Sequence, residues 1–148
     1  MELTPIAYVV GGRPAPQDDH WGGETCVIRL ADHLDPECLL GIDAFSHVEV
    51  VFHFDRATEL AGSRHPRGNE AWPRVGVFAQ RAKDRVNRIG LSRCRVVRLD
   101  GRDLHVRGLD AIDGTPVLDV KPWFDEFGPQ GPTHQPAWVA ELTASYWD

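Results

Sequence analysis

Apolar and polar residues alternate most clearly from His47 to Phe54. Val48, Val50, Phe52 and Phe54 fall on one face, and His47, Glu49, Val51 and His53 on the other. A period of two marks a half-buried strand, because successive side chains point to opposite sides of the sheet. Shorter runs repeat the theme. Thr4 to Val10 is β-leaning and is closed by Gly11-Gly12-Arg13-Pro14, where glycine permits a left-handed backbone and proline withdraws a ladder donor. The polar segment Ala15 to Gly23 has no period and reads as a loop before a strand over Thr25 to Leu30. Cys94 to Leu99 and Leu104 to Val106 flank Asp100-Gly101-Arg102-Asp103 and predict a hairpin. Pro116 to Val120 lies between an Asp113-Gly114 turn and Lys121-Pro122.

Helical signals are few. Asp35 is a capping residue followed by Pro36 and Glu37, which predicts one short helix to Leu40, ended by Gly41. Pro136 opens a carboxy-terminal helix in which Trp138, Leu142 and Tyr146 recur at i, i+4 and i+8, a stripe that reads as packing. Short strands at this spacing predict a mainly β fold: a small antiparallel β-barrel with short helices, including a C-terminal one.

Composition narrows the class. The 148 residues are 42% hydrophobic and 26% charged, which fits a single domain over residues 1–148. No apolar run approaches the roughly 18 residues of a membrane span, and the amino terminus carries no secretory pattern, so a cytoplasmic protein is expected. Cys26, Cys38 and Cys94 are odd in number and widely spaced, which predicts free thiols rather than disulfides or a metal pair. His47, Glu49 and His53 share a strand face without any recognised metal spacing, and no metal is expected.

Charge is unevenly spread. Between Arg64 and Arg98 there are ten Lys or Arg against two acids, a local +8 in a chain of net −6, so the remainder carries −14. A positive stretch on an acidic protein steers anions to one face. Its centre, Val75 to Ser92, reads as a short apolar strand, a basic loop and a second apolar turn. Gly11-Gly12 and Gly22-Gly23 lack both GxGxxG spacing and a βαβ context, which argues against a Rossmann-type enzyme. No serine lies in a GxSxG elbow.

Several segments carry a more specific signal. They are Gly41-Ile42-Asp43-Ala44-Phe45-Ser46-His47, Arg67-Gly68-Asn69, Gly76-Val77-Phe78-Ala79, then Arg81, Arg85, Asn87 and Ile89-Gly90-Leu91-Ser92, and finally the run from Leu109 to Pro122 that contains Asp110-Ala111-Ile112-Asp113-Gly114. Over roughly Thr4 to Trp123 the chain resembles the TsaA-like (TrmO/YaeB) family of S-adenosylmethionine-dependent tRNA N6-methyltransferases. The resemblance implies a small, usually dimeric β-barrel enzyme that methylates N6 of threonylcarbamoyladenosine beside the tRNA anticodon. Where the family loop carries prolines, this chain has Val86 and Arg88.

The resemblance also implies roles. Arg81 and Leu91 fall at cofactor-contact positions, with Arg81 suited to hold the cofactor carboxylate. Asp110, Ala111, Ile112 and Asp113 form the matching cofactor loop, and Asp55, Arg56 and the loop Asp18 to Trp21 fall where the family lines the cofactor. Asp113, His47 and His53 are candidates to accept the proton lost from the methylated nitrogen. Asn87 either orients the base edge or caps its loop, and Lys83, Arg85 and Arg88 would meet RNA phosphates. The same motifs also suit a methyltransferase with another nucleic-acid or small-molecule substrate, or a non-catalytic S-adenosylmethionine-binding module.

Overall fold

A computed structural model describes all 148 residues. Six strands close an antiparallel barrel: β1 (Ala7–Val10), β2 (Thr25–Leu30), β3 (His47–His53), β6 (Ile89–Asp100), β7 (Asp103–Arg107) and β8 (Pro116–Pro122), in the order β1-β2-β7-β6-β3-β8, with β8 returning to β1. Two further two-residue strands, β4 (Ser63–Arg64) and β5 (Val75–Gly76), pair outside it. The long strand β6 joins the two halves, because Ile89 to Arg95 pair with β3 and Arg95 to Asp100 pair with β7.

The alternation in β3 is realised as expected: Val48, Val50 and Phe52 are buried and His47 is exposed. They meet Val9, Ile28, Cys94, Leu104, Val106 and Val117 in one core. Side chains fill so narrow a barrel, so any ligand site must be built from the loops at its ends.

Burial decides the thiols. Cys26 and Cys94 are buried and Cys38 is exposed. Burial, with Glu24 nearby, pushes the Cys26 thiol up to about 12, and burial raises Cys94 likewise. An aromatic disulfide reagent is therefore expected to titrate one thiol in the native protein and three after denaturation. A second fast-reacting native thiol would contradict this packing.

Four expectations need correcting. Strand β6 begins at Ile89, not near Cys94: the chain reverses at Arg88, which has a positive φ of 50°, and the Arg88 carbonyl accepts from Phe54 N at 2.8 Å. The segment Ile89 to Ser92 is thus a strand rather than an apolar turn. Strand β1 starts at Ala7 rather than Thr4. Helix α1 is short, Ala137–Leu142: beyond Thr143 the ladder gives way to three-residue turns, with Ala144 N donating to the Glu141 carbonyl at 3.3 Å and Tyr146 N to the Thr143 carbonyl at 3.0 Å. Near Asp35 the helix is a single 3₁₀ turn, Pro36–Leu39, capped by the Asp35 carboxylate on Glu37 N at 2.8 Å.

Candidate functional site

One end of the barrel carries a cavity of about 810 Å³. It is walled by the β1–β2 loop, the segment after β3, the turns around β4 and β5, the β7–β8 loop and the carboxy-terminal segment. In a closed antiparallel barrel of this order those loops all emerge at the same end. Residues about thirty positions apart in sequence, Arg81 and Asp110, therefore meet in one site.

The floor belongs to the β7–β8 loop. Asp110 lies half-buried, with Ser92 Oγ donating to Oδ1 and the Tyr146 hydroxyl donating to Oδ2. Ala111 is buried beside it, and Ile112 also lines the cavity. The basic loop supplies the facing wall. Arg81 donates from Nη2 to the Leu91 carbonyl at 2.7 Å, so Leu91 contributes a backbone anchor while its own side chain points outward. Gln80 is buried and donates to the Arg64 and Val75 carbonyls, both at 3.0 Å, which fixes the loop to the β4–β5 ribbon.

The loop without the family's prolines is stapled by side chains instead. Asp84 accepts from Thr58 N at 2.9 Å and from Lys83 Nζ at 3.1 Å. Partial burial works against ionising this carboxyl, but the Thr58 amide and Lys83 outweigh it and hold Asp84 below its ordinary range. Arg85 donates to the Gln80 carbonyl at 2.9 Å and Arg88 to the Ala57 carbonyl at 3.2 Å.

These positions sort the expected site residues. Arg81, Asp110, Ala111, Ile112, Asp55, Arg56 and Lys83 line the cavity, as do Asp18 and Trp21. Asp113 does not: its Oδ1 accepts from Gly11 N at 2.8 Å, so the carboxylate is used to close a turn. His53 lies on the outer side of β3, because Phe52 next to it points inward. Asn87 is exposed beyond the rim. Arg85 and Arg88, expected to face RNA, are half-buried and spend donors on loop carbonyls. The cavity wall contains no histidine, and no cluster of three His, Cys, Asp or Glu lies together to hold a metal.

Other residues enter the site unannounced. Arg64, Arg67, Ser92, Trp138 and Tyr146 all line it or touch its carboxylate. Ser92 and Arg67 sit inside the quoted motifs, so that signal was present in the sequence. The aromatic stripe at Trp138, Leu142 and Tyr146 was visible too, but it walls the cavity rather than packing on a closed core.

Chemically, the site mixes both signs. Arg56, Arg64, Arg67, Arg81 and Lys83 face Asp18, Asp55, Asp84 and Asp110, with apolar cover from Phe54, Trp138, Val139 and Leu142. Arg64 Nε is buried with no hydrogen-bond partner. The rest of that guanidinium is turned to Asp84, with Nη1 3.7 Å from Oδ2 and Nη2 donating to the Asp84 carbonyl at 3.4 Å. Arg81, by contrast, keeps donors that no carboxylate takes, so an anionic group is best received at Arg81. S-adenosyl-L-methionine, with a carboxylate, an ammonium, a sulfonium and an adenine face, fits such a lining.

Known proteins resemble this chain in sequence and in fold. Residues 13–128 match the family described as the tRNA-methyltransferase O N-terminal domain. A probable S-adenosyl-L-methionine-binding protein of Methanothermobacter thermautotrophicus is 40% identical over 119 residues, covering 79% of this chain and 82% of the relative. The tRNA (adenine(37)-N6)-methyltransferase of Homo sapiens is 39% identical over 104 residues, covering 68% of this chain and 23% of that protein. A crystal structure of TrmO from Pseudomonas aeruginosa superposes with a TM-score of 0.73 at 25% identity, covering 93% of this chain and 61% of that one. The chain spans about half the length of a Pyrococcus abyssi relative to which it is 43% identical, and less than a quarter of the mammalian ones.

Proposed function

This chain belongs to the tRNA-methyltransferase O N-terminal domain family, and we propose that it methylates tRNA from S-adenosyl-L-methionine, at N6 of the threonylcarbamoyl-modified adenine beside the anticodon. The observation that carries this reading is the meeting of the loop holding Arg81 with the loop Asp110 to Ile112 in one cavity. Both loops come from the motifs that mark the family. The proposal includes a homodimer acting in the cytoplasm, with Lys83 at the rim meeting RNA phosphate.

The cofactor supplies a methyl group on a positively charged sulfur. The protein's own part is placement. Arg81 keeps free guanidinium donors for a carboxylate, since only Nη2 is spent on the Leu91 carbonyl. Asp110, held by two hydroxyls, offers its remaining lone pairs to a cationic or hydroxyl donor. Trp138, Val139 and Leu142 exclude water from one side. Holding two reacting atoms in line is worth roughly 7–11 kcal/mol in favourable systems, so orientation and dryness can supply much of the rate. The proton released from N6 needs an acceptor. Asp18 and Asp55 are cavity carboxylates whose side chains make no hydrogen bond or ion pair, which leaves them free for that role.

The test pairs binding with turnover. S-adenosyl-L-methionine at a hundred times its dissociation constant is expected to stabilise the native protein by about 2.7 kcal/mol, seen as a raised melting temperature. Incubation with total tRNA from a strain lacking this enzyme should then convert the threonylcarbamoyladenosine to its N6-methyl form, read by nucleoside mass spectrometry. No thermal shift would sink the cofactor assignment. A shift without methylation of any tRNA nucleoside would leave a binding module only.

A further inference from the structure

One wall of the cavity comes from outside the family match. Residues 129–148 lie beyond the matched span of 13–128, yet Trp138, Leu142 and Tyr146 line the cavity. This segment is fastened at several points. Trp72 Nε1 donates to Glu141 Oε2 at 2.7 Å, His20 N to the Ser145 carbonyl at 3.0 Å and Trp21 N to the Tyr146 carbonyl at 2.8 Å. The Trp147 carbonyl packs so close to Gly22 that a Cβ there would lie 2.0 Å from its oxygen. The backbone on both sides of Tyr146 is therefore set before any ligand arrives.

Held this way, the Tyr146 hydroxyl donates to Asp110 Oδ2, opposite the Ser92 hydroxyl on Oδ1. Burial, and then the Asp110 charge, raise the Tyr146 phenol above its ordinary range, so it stays protonated and remains a donor. Arg67 and Arg81 are close enough to pull it the other way. Arg67 is committed to Asp19, at 2.9 Å, and to the Asp18 carbonyl at 3.2 Å. Arg81 is not committed to any carboxylate. One corner thus combines an oriented carboxylate with an available guanidinium. That pairing is the complement of an α-amino acid, whose ammonium needs the first and whose carboxylate needs the second.

We propose that Tyr146 is a positioning residue which, by fixing Asp110, completes a subsite for the α-amino acid end of S-adenosyl-L-methionine. This rests on the cofactor reading above and adds the carboxy-terminal segment to the site. With one lone pair of each oxygen taken by a hydroxyl, Asp110 presents the others in a fixed direction. Without the phenol only Ser92 holds the carboxylate, which can then turn toward Arg81 and neutralise the corner. Ribose hydroxyls and adenine are neutral, so they gain less from a fixed carboxylate than an ammonium does.

Two ligands separate this role from simple packing. S-adenosylhomocysteine carries the amino acid end, and 5′-methylthioadenosine lacks it. Calorimetry on Tyr146→Phe is expected to show S-adenosylhomocysteine weakened at least tenfold and 5′-methylthioadenosine changed less than twofold. Equal weakening of both ligands would mean that Tyr146 only supports the fold, and no weakening of either would also overturn the proposal. A wild-type protein that binds neither ligand would instead overturn the cofactor reading itself. Should the variant not fold, the wild type gives an independent measurement. The chain has two tyrosines, and Tyr8 sits exposed on β1. With tyrosine labelled at Cζ, the Tyr146 carbon resonance is expected to move with S-adenosylhomocysteine and not with 5′-methylthioadenosine, while Tyr8 stays fixed. The same movement with both ligands, or with neither, defeats the assignment.

Discussion

Gly90→Ala is expected to lower the unfolding free energy by roughly 1–3 kcal/mol, the usual cost of overpacking a closed core. Gly90 pairs with Phe52 across β3 and β6. A Cβ at Gly90 would lie 2.4 Å from two carbons of the Phe52 ring, which is fully buried. The ring has little room to retreat, because Phe54 meets it edge-on with centroids 5.0 Å apart. The glycine of the Ile-Gly-Leu-Ser signature is thus a packing requirement, an aromatic ring laid over a bare backbone. Urea denaturation checks it: the midpoint should fall with the slope unchanged. Gly76→Ala is the control, because nothing lies within 4 Å of a Cβ there and its φ of −60° suits any residue. Equal midpoints for the two variants would remove this account of the signature.

The same pair shows where the sequence was legible and where it was not. Alternation in β3 placed Phe52 inward and His53 outward, and the structure keeps both. Period-two patterning depends only on the pleat, so it survives without tertiary knowledge. The start of β6 depended on more. Ile89-Gly90-Leu91-Ser92 is too short and too glycine-interrupted to read as a strand alone, and it becomes one because β3 offers a partner. Barrel closure also lies outside local pattern, since β8 meets β1 from more than a hundred residues away.

For the site, motif resemblance found the loops and the structure chose the side chains. Asp110 and Asp113 are three residues apart in one motif, yet one enters the cavity and the other closes a turn on Gly11. Spacing cannot separate them, because the turn at Asp113-Gly114 reverses the chain between the two roles. Charge is just as silent about what each cation does. Arg85 and Arg88 contribute to the local +8, but their guanidinia hold loop carbonyls in place of the missing prolines. Tyr146 was masked for another reason: a helical stripe looks the same whether it covers a core or a cavity.

Asp110→Asn is therefore expected to separate the two aspartates. The amide keeps the carboxylate's size, and the hydroxyls of Ser92 and Tyr146 can each donate or accept, so the fold should change little. What is lost is the charge. A hydrogen bond to a charged group is worth about 1.5–3 kcal/mol, and at about 1.4 kcal/mol per factor of ten the affinity for S-adenosyl-L-methionine should fall by roughly 10–150-fold. Asp113→Asn should behave differently. Its Oδ1 can still accept from Gly11 N, and the side chain lies outside the cavity, so the dissociation constant should stay within about a factor of two of the wild type. Calorimetric titration of both variants, with melting temperatures recorded alongside, decides the matter. If Asp113→Asn lost the cofactor while Asp110→Asn kept it, the turn would have to open on binding and the cavity would be misassigned. If Asp110→Asn alone lost it, the carboxylate held between Ser92 and Tyr146 would be the electrostatic anchor of the site.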